Sequence, residues 1–238
     1  MQIRFYVALL VLILSGICLA QDSGVGKPLD VLEGRPDAPP GDTDQSIELG
    51  SAFEGSAAGI TFRPPAGSKE IRRAGVPDEI IQYLHEAREW TLKASRFTLE
   101  SKIPLTTWNN DAGKSQDGVL ENTVKALQKT HPGAEVVRQD IVNAGESAVG
   151  LIAMRFTIGT SDRLLQQAII QESELVYYVL EFSSPGAKVG TSMEEDFPPE
   201  RQAVEMFMAV LDTVRLVDRT AIRQDQDERL YRTRALYV

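Results

Sequence analysis

Between residues 135 and 182 the chain alternates apolar-rich runs with turns too brief for anything but hairpins, and this spacing constrains its fold more than any other feature. The runs are Glu135–Val142, Val149–Ile158, Arg163–Gln171 and Leu175–Phe182, separated by Asn143-Ala144-Gly145, Gly159-Thr160-Ser161 and Glu172-Ser173-Glu174. Linkers this short join antiparallel neighbours, because a parallel pair needs a crossover of roughly a dozen residues or more. An antiparallel meander of four strands is therefore expected.

Further strands precede it. Gly59-Ile60-Thr61-Phe62-Arg63 alternates apolar and polar side chains until Pro64-Pro65-Ala66-Gly67 turns the chain. Around Ile80–Leu84, Pro77-Asp78-Glu79 could open a helix, but the alternation of Ile81, Tyr83 and His85 favours a strand. Trp90, Leu92 and Ala94 share one phase and Phe97 and Leu99 the other, which predicts a long strand bulged near Ser95-Arg96. Two helices are expected. Gln116–Thr130 carries Val119, Leu120, Val124 and Leu127 at helical spacing and stops at His131-Pro132-Gly133. Glu200–Leu211 buries Ala203, Met206, Phe207, Val210 and Leu211, and Val214–Val217 follows.

The two ends read differently. Arg4 is followed by an apolar run from Phe5 to Leu14, and Cys18-Leu19-Ala20 before Gln21 has the small residues of a signal-peptidase site. Residues 1–20 are expected to be a signal peptide cleaved between Ala20 and Gln21. An uncleaved anchor is the alternative, although Phe5 to Ala20 is only sixteen residues against the roughly 20 a spanning helix needs; lipidation of Cys18 is a third, set against Ile17, which is larger than the residue such sites prefer. Residues 21–54 form an acidic linker rich in Pro and Gly. The domain is placed at 55–218 and a charged tail at 219–238, whose last residues, Ala235-Leu236-Tyr237-Val238, are unusually apolar.

Cys18 is the only cysteine, so cleavage leaves no thiol chemistry, disulfide or cysteine-ligated zinc, and an exported domain held by its core alone. The expected location is the periplasm or exterior of a bacterial envelope. With 25 Lys and Arg against 34 Asp and Glu, the formal charge is −9, which disfavours nucleic acid. The nearest basic cluster is Lys69, Arg72 and Arg73.

Few residues suggest chemistry. His85 falls in a strand, and His131 ends a helix, where interaction with the last carbonyls suffices to explain it. Glu194-Glu195-Asp196 could ligate calcium or simply favour a helix N-terminus; Asn109, Asn110, Asp111 and Asp117 share a loop without calcium-loop spacing. No nucleophile elbow, phosphate-cradling loop or dinucleotide fingerprint occurs. A carboxylate pair brought together only by folding stays open. Trp90 and Phe97 are expected in the core, and one of Tyr177 and Tyr178, which point to opposite faces, is expected to be buried. Trp108, after Pro104-Leu105-Thr106-Thr107, is either a partner-binding indole or one folded over the sheet edge.

The strand Gly59–Gly67, the helix end His131-Pro132-Gly133-Ala134-Glu135-Val136, the Gly145 turn, Tyr177-Tyr178-Val179-Leu180-Glu181-Phe182 and Leu211-Asp212-Thr213-Val214-Arg215-Leu216 together resemble the PsbP-like superfamily over residues 57–218. The resemblance implies an α+β fold, an antiparallel β-sheet flanked by helices as an α-β-α sandwich, used mainly for docking or scaffolding. It transfers no active site, metal or cofactor. The expected role is non-catalytic docking of an envelope protein; the alternative is a small-molecule or lipid carrier with a pocket between sheet and helix.

Overall fold

In chain order the strands are β1 (Phe53–Gly55), β2 (Ile60–Phe62), β3 (Lys69–Ile71), β4 (Glu79–His85), β5 (Trp90–Thr98), β6 (Trp108–Asn109), β7 (Ser115–Gln116), β8 (Glu135–Ala144), β9 (Ser147–Ile158), β10 (Ser161–Gln171), β11 (Val176–Pro185) and β12 (Arg215–Leu216). Helices α1 (Val119–Thr130) and α2 (Pro198–Asp212) complete the set. This computed structural model describes residues 47–55, 58–71, 78–109, 113–144, 147–192 and 197–217. The expected signal peptide, its Ala20–Gln21 junction, Cys18, most of the linker and the charged tail lie outside the described residues.

The meander forms as the turn spacing requires: β8, β9, β10 and β11 pair in sequence, all antiparallel. The chain's earlier strands extend it into seven, in the order β3-β4-β5-β11-β10-β9-β8. A small sheet, β1-β2-β12, brings the end of the domain back to its beginning, with Arg215 opposite Thr61. The strands β6 and β7 make a separate hairpin.

Alternation assigns the two faces. Leu92, Ala168, Leu180 and Phe182 lie in the same core cluster as Ala203, Phe207 and Val210 of α2, with the Phe182 and Phe207 rings stacked at 5.8 Å. On the opposite face α1 covers β9, where Gly150 leaves room for Leu120: a Cβ there would meet the leucine at 2.9 Å. The sheet is thus sandwiched between two helices. Tyr177 and Tyr178, on opposite faces, are consequently both buried, as was expected of at least one of them. Their hydroxyls donate to backbone carbonyls of opposite layers, Tyr177 to Ile103 at 2.6 Å and Tyr178 to Ala58 at 2.9 Å.

Two expectations need correction. The register between β5 and β11 runs unbroken from Thr91 to Thr98, so no bulge sits at Ser95-Arg96; the irregularities lie between Glu79 and Ile81 in β4 and between Val136 and Arg138 in β8. Arg96 misleads because its guanidinium lies over the Tyr178 ring at 6.0 Å, so a charged side chain occupies an apolar-phase position while the backbone keeps its pleat. Helix α1 begins at Val119 and not Gln116, which is paired in β7. The boundary is set at Gly118: its N–H donates to the Glu121 carboxylate at 2.9 Å, and a Cβ there would come within 2.3 Å of the Thr106 backbone.

One buried ion pair ties helix to sheet. Arg155 of β9 meets Glu200 in the first turn of α2 at 2.6 Å, while its Nη1 donates to the Thr191 carbonyl at 2.8 Å and Glu200 accepts the Ala187 N–H at 2.7 Å. The side chains are 4% and 13% exposed, so neither charge has water as a substitute partner. Arg155→Met is expected to lower unfolding free energy by about 3 kcal/mol, because it strands a carboxylate; Arg155→Met with Glu200→Met should recover most of the loss in urea denaturation.

Candidate functional site

Cross-strand register, read on the face that carries α1, places four polar side chains in one row. Gln82 of β4 stands opposite Lys93 of β5, Lys93 opposite Glu181 of β11, and Glu181 opposite Gln167 of β10. Lys93 Nζ lies 3.3 Å from Glu181 Oε1, and Gln167 Nε2 donates to Glu181 Oε2 at 2.7 Å. All four residues are buried, none more than 9% exposed. Both carboxylate oxygens are therefore engaged, which removes the uncompensated charge that burial would otherwise penalise. The acceptors Gln82 Oε1 and Gln167 Oε1 have no hydrogen-bond partner among the described residues.

Buried Ser95 and Ser183 lie on the same face. Arg163 joins them, with Nη2 donating to the Glu89 carbonyl at 3.0 Å and the Ser183 hydroxyl at 3.3 Å. Burial pulls its pKa downward, and the Glu89 carboxylate opposes that pull.

His131 lies just beyond the last residue of α1. Its backbone N–H donates to the Leu127 carbonyl, but its ring stacks on Phe156 at 4.1 Å and its buried Nε2 has no hydrogen-bond partner among the described residues. Burial lowers the imidazole pKa, with Glu181 pulling the other way. Burial against Phe156 therefore disfavours the charged form of the ring, and the aromatic stack rather than the last helix carbonyls is the ring's contact.

The remaining candidates stay apart. His85 in β4 packs beside Trp90 with ring centroids 5.6 Å apart. Lys69 forms an exposed ion pair with Glu86 at 3.1 Å; its expected companions Arg72 and Arg73 lie outside the described residues, as do Asn110, Asp111, Glu194, Glu195 and Asp196. Asp117 pairs with Lys125, and its carbonyl accepts from Asn122. Among the described residues no three His, Cys, Asp or Glu side chains gather as metal ligands, and no helix is long and apolar enough to cross a membrane. Trp90 and Phe97 are core residues, each 5% exposed. Trp108 is half-buried at the start of the β6/β7 hairpin, between the two positions open to it, with Asn109, Ser115 and Gln116 exposed around it.

The row of Gln82, Lys93, Glu181 and Gln167 escapes sequence reading. Lys93 in Trp90-Thr91-Leu92-Lys93-Ala94 has the pattern of a solvent-facing side chain, and only the register shows it beside Glu181 under cover. For His131 the sign is fixed by its lowered pKa: the unfolded chain takes up a proton near the ordinary value of 6.5 and the folded chain only at lower pH. Stability is expected to be undiminished by this group above pH 6.5 and to fall as pH drops below it. Thermal melts from pH 7.5 to 5 should show His131→Phe, which keeps the stack, with a shallower loss than the parent.

Comparison with known proteins is informative at the level of fold. No family model matches the chain, and no curated protein does. The solved structure of the Saccharomyces cerevisiae Ran-binding protein Mog1p is similar at a TM-score of 0.52 and 13% identity, covering 74% of this chain and 98% of that one. CyanoP, the cyanobacterial PsbP of Synechocystis, is similar at 0.47 and 12%, covering 75% and 98%. LpqN of Mycobacterium tuberculosis, described as involved in cell envelope biogenesis, is similar at 0.45 and 10%, covering 73% and 93%. Seven antiparallel strands between two helices give this chain an α+β fold, and it is this fold that the Mog1p structure shares.

Proposed function

We propose that this is an exported, non-catalytic domain that docks a protein partner in the cell envelope. The observation that carries the reading is Trp108: a half-buried indole at the root of a two-stranded hairpin whose neighbours Asn109, Ser115 and Gln116 are exposed. Large aromatic side chains held on a supported backbone supply much of the energy of protein interfaces, since they bury area with few rotamers to freeze. The shared fold with Mog1p, a Ran-binding protein, supports a protein-binding use of the architecture. Export rests on the amino-terminal apolar run and its small-residue cleavage site.

Native mass spectrometry of the protein drawn gently from its host envelope is expected to show a stoichiometric partner that is lost on denaturation. Trp108→Ala should weaken that complex by about thirtyfold, the effect of a hot-spot side chain near 2 kcal/mol, while leaving the far-ultraviolet circular dichroism intact. A small extra mass in place of a partner chain would overturn docking in favour of a carrier.

A further inference from the structure

The two outer edges of the main sheet are built differently. Edge strand β3 has three residues, Lys69-Glu70-Ile71, and its lysine is engaged by Glu86. Edge strand β8 has ten, pairs with β9 on one side, and ends the strand order on the other. Gln139, Asp140 and Ile141 are exposed, and Ile141, at 48%, is the most exposed large apolar side chain among the described residues. A long edge with unpaired N–H and C=O groups is a template for another strand.

Backbone chemistry limits how a second copy could pair there. Outward-pointing amide groups alternate along an antiparallel edge, so two identical strands related by a two-fold axis must be centred on a residue and not between residues. Centring on Arg138 or Asp140 sets like charges opposite one another, which disfavours those registers. Centring on Ile141 leaves Asp140 facing a valine. Centring on Gln139 sets Arg138 opposite the partner's Asp140 and Asp140 opposite the partner's Arg138.

The charges are already arranged for this. Arg138 Nε and Asp140 Oδ2 lie 2.7 Å apart on one side of the strand, with side chains 38% and 54% exposed. Two such strands would join them into a ring of four alternating charges. The irregularity between Val136 and Arg138 keeps the matched stretch short, so association should be weak and concentration-dependent.

We infer that β8 is a self-association edge, pairing antiparallel with β8 of a second copy about a two-fold axis through Gln139. The experiment is sedimentation equilibrium over a wide concentration range, with Arg138→Asp, Asp140→Arg and the double variant Arg138→Asp/Asp140→Arg, each checked for native circular dichroism. Dimer is expected for the parent, tenfold or more weakened in either single variant, and restored in the double variant, which recreates opposite pairs in reverse. In a Cys18→Ser background, Gln139→Cys should form an intermolecular disulfide on mild oxidation, since directly opposed residues have Cα atoms about 4.5–5.5 Å apart, within disulfide reach. A parent that stays monomeric at high-micromolar concentration overturns the inference. So does a dimer that is indifferent to the single charge reversals or fails to cross-link through residue 139. The assay uses the isolated chain and leaves Trp108 untouched, so its result is independent of heterologous docking.

Discussion

Strands β9, β10 and β11 are interior strands of a sheet that is covered on both faces, and the rest of the structure answers to that burial. Residues 149–156 of β9 are buried without interruption. Every polar side chain on these strands must then find a partner inside the protein, because an unpaired one costs about 1–3 kcal/mol. Neighbouring residues solve the problem on opposite faces. Gln166 donates to the Ala203 carbonyl of α2, while Gln167, one residue on, donates to Glu181 on the α1 side. Arg155 is satisfied by Glu200 and Thr191 on the α2 side.

These polar contacts also fix position. Dispersion between a helix and a sheet tolerates sliding, whereas a bidentate guanidinium–carboxylate contact has one geometry. The Arg155–Glu200 pair therefore specifies where the first turn of α2 meets β9, and Glu200 also accepts the Ala187 N–H, tying the incoming loop to the same point; Pro198 and Pro199, which have no N–H, leave the start of that helix with two fewer donors to cap. On the other face, the room left at Gly150 and the tight approach at Gly118 set where α1 can lie.

Sequence alone revealed the meander, because its turn residues leave no alternative to hairpins, and both helices, because their apolar stripes are amphipathic at a period of 3.6. It located the α1 start three residues early, since Ser115 and Gln116 have no property that distinguishes a short hairpin strand from a first helical turn. It misplaced a bulge at Arg96, where a cation resting on Tyr178 imitates a change of phase. The return of β12 to β2 joins segments some 150 residues apart, a distance over which local pattern carries no pairing information. The buried row of Gln82, Lys93, Glu181 and Gln167 was invisible for the same reason: each residue alone looks like an ordinary solvent-facing position, and their adjacency exists only in the register. Trp108 was singled out as a candidate, but its half-buried setting depends on the β6/β7 pairing.

This arrangement determines which parts of the domain remain available for recognition. The polar groups of the interior are largely committed to one another, and both sheet faces are spent on the helices and their surroundings. What the described residues leave over is peripheral: a long strand edge at β8, the hairpin that carries Trp108, and exposed apolar side chains at Ile47, Ile141, Ile158 and Phe197. A sandwich whose helices are tied to the sheet by buried polar contacts is suited to holding such features in fixed relation. Rim residues can change without disturbing the core, so one architecture can carry different surfaces on different chains.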